Sequence, residues 1–166
     1  MTRPSLASTA ALLTLVAFAA SAQERGRPRN APPEQLGAVH FATSCSPGVA
    51  PRFDRAVALL HSFEFGESIR AFNEVLAADS TCAMAYWGIA LSRWTNPMAP
   101  GNRPVALLRQ GKQSADAALR LAPRATERER GYIRAVGQLY DDFEHKDQRT
   151  RVVAYEHAMR DLVARQ

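Results

Sequence analysis

Apolar residues recur at helical spacing through most of the chain. From about Pro51 to Ser62, Phe53, Ala56, Val57 and Leu60 fall at steps of three and four, and Pro51 suits a first turn. Gly66 interrupts, and Glu67 to Ala78 resumes the pattern with Ile69, Phe72, Val75 and Leu76. Asp79, Ser80 and Thr81 are each capable of capping the next segment, Cys82 to Trp94, which carries Met84, Trp87, Leu91 and Trp94. A loop rich in Pro, Gly and Asn follows at Thr95–Asn102. A fourth helix is predicted from about Pro104 to Leu121, with Pro123 ending it. Thr126 and Glu129 form a capping box for the fifth, which bears Tyr132, Ile133, Val136 and Tyr140. A charged loop, Asp141 to Asp147, leads to the sixth, Arg149 to Arg165. No segment alternates with a strand period, so the expected class is all-α.

The pattern is different at the start. Arg3 is the only charge before Glu24, an apolar stretch runs from Ala10 to Ala20, and Ala20-Ser21-Ala22 offers a small-x-small cleavage site. This predicts a signal peptide over residues 1–22, cleaved after Ala22, and a periplasmic or secreted protein with no membrane attachment afterwards. Removing those 22 residues from 166 leaves 144, enough for one domain. Residues 23–48 are predicted to be an extended or disordered leader, because 23–35 combine Pro, Arg and polar residues without an apolar period. Val39-His40-Phe41 suits an extended backbone.

Composition narrows the function classes. A hydrophobic fraction of 46% excludes wholesale disorder, and 22% charged residues exclude a membrane-embedded chain. The net charge of +5 falls to +4 without Arg3. Only Lys112 and Lys146 are lysines, and the arginines alternate with acids, as in Glu127-Arg128-Glu129-Arg130. That is a solvated helix surface and not a nucleic-acid face. Two cysteines, Cys45 and Cys82, in an exported chain favour one disulfide. There is no CxxC pair, HExxH or His/Cys cluster, so neither a metal nor another cofactor is expected.

An internal repeat is visible. Ala56 and Ala90 lie 34 residues apart, while Leu76 and Leu119, and Ser80 and Pro123, lie 43 apart. Two helix pairs of one design, the second carrying the Thr95–Asn102 insertion, account for both offsets. A third pair from Thr126 follows the design loosely.

The stretch from Phe65 through Ser80, followed by Ala83 to Ala90, resembles the tetratricopeptide repeat family. Phe65 opens a second helix, Ser68 stands at the usual alanine, Phe72 is the next aromatic, and Ser80 replaces the closing proline. Tyr86, Ile89 and Ala90 begin the next repeat. More narrowly, Thr43-Ser44-Cys45, Val57 to Phe63 and Cys82 to Gly88 look like the front end of longer exported bacterial repeat proteins. The resemblance implies a right-handed solenoid of about three antiparallel pairs, near 50–80, 82–123 and 126–166, with a groove formed by the first helices. In such a stack Cys45 and Cys82 sit at the same end of adjacent first helices. Bonding them would add about 3–4 kcal/mol in the chain-entropy model; two buried thiols are the alternative.

The function expected from this frame is a non-catalytic scaffold for an unidentified protein or peptide, or for later repeats of the same chain. Phe53, Val57, Met84, Trp87, Leu91 and Trp94 would line its groove, although a stripe of that kind equally suits a core between helices. Arg130 and Arg134 would face acidic groups on the partner. Two other readings stand beside this one. The chain could be the structural front segment of a longer array, or a helical enzyme or cofactor-binding domain using His40, His61 and the acidic loop. The loop Asp141–Asp147 lacks the glycine and spacing of a calcium site, and Ser62 and Ser92 lack a nucleophile elbow.

Overall fold

The computed structural model describes residues 36–97 and 99–165. The expected signal peptide and residues 23–35 of the leader lie outside them. Six α-helices account for most of the described chain, and no strand occurs among these residues. They are α1 (Ala50–His61), α2 (Phe65–Ala78), α3 (Ala83–Trp94), α4 (Val105–Leu121), α5 (Glu127–Gln138) and α6 (Gln148–Val163).

Two of the expected boundaries move, each for a local reason. The break after α1 is not at Gly66, which lies inside the first turn of α2. It comes three residues earlier, where Phe63 takes the left-handed conformation at φ 61°. The amide of Phe63 donates to Leu60 and that of Glu64 to Leu59, satisfying carbonyls that the end of α1 leaves free. This is a Schellman closure with phenylalanine where glycine is the usual residue. The second correction concerns the start of α3. None of Asp79, Ser80 or Thr81 caps it; the N-cap is Cys82, with no side-chain bond. Asp79 bonds instead to the amide and hydroxyl of Thr81 and to the amide of Ser46. The Thr126–Glu129 capping box is present in full, and Asp147 caps α6 through the amide of Thr150 at 2.9 Å.

Contacts fix how the helices run. Phe72 lies against Phe53 at 5.4 Å between centroids, and Ser68 donates to the carbonyl of Ala56, so α1 and α2 are antiparallel. Phe72 also covers Gly88, and Ser68 pairs with Ser92, which makes α2 and α3 antiparallel too. Each helix packs on the next in sequence, and α1 packs on α3 and α3 on α5. That neighbour pattern is compatible with stacked helix pairs. Helix α3 is the centre of the core, with nine of its twelve residues buried.

Glycine serves close approach in both α3 and α4. A Cβ on Gly88 would lie 2.2 Å from the Phe72 ring, and one on Gly111 the same distance from the Tyr140 ring. Tyr140 passes over Gly111 to donate its hydroxyl to the carbonyl of Ala90 at 2.5 Å. Burial of that phenol raises its pKa well above the usual tyrosine value.

Candidate functional site

The face formed by α1, α3 and α5 is already occupied by the chain itself. Residues 36–46 form an irregular strap, with Leu36, Val39 and Phe41 packed on the core. The Phe41 ring sits among Phe53, Trp87 and Tyr132, with centroid distances of 5.9, 5.7 and 5.6 Å. The Arg128 guanidinium covers its other side at 4.7 Å and donates to the carbonyl of Ala42.

This arrangement changes the role of the expected groove residues. Phe53, Val57 and Met84 are at most 1% exposed, and Trp87 and Trp94 are 6% and 5% exposed. They are core, and of the six only Leu91 retains part of its surface. The reason is the strap, together with the packing of α3 on four other helices. Arg130 and Arg134 are likewise engaged within the chain, both donating to Glu127.

Three carboxylates hold the strap by its backbone. The amide of Phe41 donates to Asp54 on α1 at 2.9 Å, that of Ser44 to Glu129 on α5 at 2.8 Å, and that of Ser46 to Asp79 at 2.8 Å. The Ser46 amide, aided by Thr81, holds the Asp79 carboxyl below its usual 3.8 despite some cost of burial. For Glu129, burial alone pushes the other way, but the amides of Ser44 and Thr126 and the Thr126 hydroxyl together bring it below 4.5. Between these anchors Cys45 and Cys82 form a disulfide, with Cα atoms 4.8 Å apart.

The open site lies at the other end of the same helices. A cleft of about 360 Å³ is bounded by Leu60 and His61 of α1, Leu91 and Trp94 of α3, Leu139 after α5, and Val152 and Tyr155 of α6. Phe63, 56% exposed, stands at its rim. Two of the three non-glycine residues with positive φ among the described residues are here: Phe63, and Thr95 at φ 64°, ψ −156°, a region nearly confined to glycine.

No family model, curated protein or solved structure matches the chain. The chemistry of the cleft therefore rests on its own residues.

Three helices end at the cleft, each with the negative end of its dipole. Arg103 and Arg151 answer two of these ends. Arg103 donates from Nε to the carbonyl of Trp94 at 2.7 Å and from its other nitrogens to Asn96, Ala99 and Gly101, tying the inserted loop to α3. Arg151 donates to the carbonyl of Leu139. Both guanidiniums lie on Trp94, at 5.1 and 5.6 Å from the ring. They are 7% and 3% exposed, and neither forms an ion pair among the described residues. Burial lowers the Arg151 pKa, partly offset by Asp147, and its Nε has no partner.

The remaining candidates do not converge. His40 is mostly exposed and lies 3.5 Å from Asp54, while His61 ends α1 at the cleft. In the acidic loop, Asp142 pairs with His145 and Asp141 with Lys146. Among the described residues no group of three or more His, Cys, Asp or Glu could hold a metal ion. Sequence reasoning missed Phe41, Phe63, Arg103 and Arg151. The first lies in an irregular segment without a period, and the arginines look no different from the solvated ones around them.

Proposed function

We propose that the chain is an exported, non-catalytic scaffold of tetratricopeptide-like helix pairs. Its cleft docks an apolar peptide segment that carries a carboxylate. The observation that carries this reading is an exposed apolar wall beside the buried guanidinium of Arg103, which lines the cleft and forms no ion pair among the described residues, with Arg151 stacked on the same indole. An apolar segment would cover Phe63 and Val152, which are 56% and 39% exposed. Its carboxylate would supply a negative charge opposite the Arg103 guanidinium. Export is supported by the Cys45–Cys82 bond, which persists in an oxidising compartment.

The test is titration with short Leu/Phe-rich peptides ending in a free carboxylate and with the same peptides ending in an amide. The carboxylate form should change the emission of Trp94 and bind about tenfold or more tightly than the amide. Placing an acid on the cleft wall with Val152→Asp should abolish that response. Equal binding of the two forms, or no response to either, overturns the reading.

A further inference from the structure

The strap is held as a bound peptide is held. Its main chain is gripped through three amides by side chains of the helical body, and one aromatic ring fills a pocket of three others. Its remaining residues contribute little burial: Gly37, Ala38, His40, Ala42 and Ser44 are exposed. Nothing in this mode of contact requires the segment to belong to the same chain. What does set it apart is the covalent bond at Cys45.

We propose that residues 36–46 are the resident occupant of a second, peptide-binding groove, and that reduction of Cys45–Cys82 by a dithiol frees this groove for an extended, aromatic-bearing peptide. This concerns the opposite end of the helices from the cleft and does not depend on what the cleft binds.

The two sulfurs are unequal in a way that suits exchange. Cys45 keeps part of its surface exposed, whereas Cys82 is 1% exposed and is the N-cap of α3. An incoming thiolate attacks Cys45 Sγ, the Sγ–Sγ bond breaks, and the electron pair leaves on Cys82 Sγ. There the helix N-terminus favours the thiolate, and Arg124 lines the same small hollow. The second thiol of the reductant then closes on the mixed disulfide and releases Cys45. The reductant ends as its own disulfide, and its two protons end on the two cysteines.

Once reduced, the strap is tethered only through residues 47–49, and it competes as a linked ligand whose hold depends on Phe41. A peptide of the sequence 36–47 with Cys45→Ser, labelled at its N-terminus, is the probe. The full chain is compared oxidised, reduced, and as Cys45→Ser with and without Phe41→Ala. The oxidised chain should not bind the probe. Reduction or Cys45→Ser should speed exchange of the Phe41, Ser44 and Ser46 amides about tenfold or more, while α3 stays protected. Adding Phe41→Ala should give the tightest probe binding, because it weakens the resident competitor. Two results overturn the proposal. One is loss of helix content with strap release on reduction, which makes the bond a staple of the whole fold. The other is unchanged amide protection with no probe bound to any form.

Discussion

Phe41 lies stacked on Trp87, 5.7 Å between ring centroids with the planes 29° apart, and this contact turns a groove into a core. Truncating it should expose the indole without disturbing the helices that carry it. Phe41→Ala is expected to destabilise by about 2–3 kcal/mol, short of the full range for a buried phenylalanine because part of this ring stays exposed. Urea unfolding gives the loss, and a red shift in Trp87 emission with unchanged helical circular dichroism locates it. An unshifted emission maximum would mean that the strap does not shield Trp87.

The repeat offsets carry a sharper expectation. Adding 34 to Ala56 reaches Ala90, and adding 43 to Ser68 reaches Gly111. In the first pair the Ser68 hydroxyl donates to the Ala56 carbonyl; in the second the Ala90 carbonyl receives Tyr140 instead, across the space Gly111 leaves. Gly111→Ala should therefore cost about 1–3 kcal/mol or more by overpacking, although alanine is the better helix former. Adding Tyr140→Phe should recover little, since the ring and not the hydroxyl alone blocks the Cβ. A stabilised Gly111→Ala protein would contradict the close approach.

The same comparison marks what was legible. Helix periodicity and the Thr126–Glu129 box are local, and spacing along the chain reveals them. Glu129 also shows the limit. One of its oxygens completes the capping box, but the other takes the Ser44 amide across 85 residues, and no local pattern announces that contact. Arg103 is similar: its buried donors meet loop carbonyls whose positions exist only after the loop has folded. The cleft was invisible for that reason, while the stripe from Phe53 to Trp94 was visible but equally compatible with core.

Acid should loosen the strap. Asp79 and Glu129 have folded pKa values below their ordinary 3.8 and 4.5, so the unfolded state binds protons first as pH falls. Their contribution is complete above those ordinary values and is lost progressively as pH drops through and below them. Stability should hold above about pH 5 and decline below it, with the Ser44 and Ser46 amides losing protection early. Hydrogen exchange across an acid titration reads both. Protection that rose on acidification would reverse the sign and discard the carboxylate clamp.

Arg151, buried against Trp94 behind the cleft wall, offers a test of charge beside the cleft. Arg151→Met removes a desolvated cation but leaves the Leu139 carbonyl without its donor, so stability should change by only about 1 kcal/mol in either direction. Discrimination between carboxylate and amide peptides should shrink all the same. If the variant keeps full preference for the carboxylate, Arg151 does not supply the attraction.

The last expectation sets stability against binding at one residue. Phe63 occupies the left-handed position of a helix end, which costs a non-glycine residue about 1–2 kcal/mol, and its ring is too exposed to recover much of that by burial. Its main packing partner is Phe65, edge to face at 5.9 Å. Phe63→Gly should therefore raise stability by about 0.5–1 kcal/mol once the greater freedom of glycine in the unfolded chain is subtracted. Phe63→Ala should not, because it keeps the backbone cost and loses the ring. Both variants should weaken peptide binding in the cleft by similar factors, since both remove the rim. Chemical denaturation and the peptide titration, run on the same pair, separate the effects. If Phe63→Gly lowers stability, the ring contributes more to the fold than its exposure indicates; if it binds peptide as before, the cleft does not use its rim.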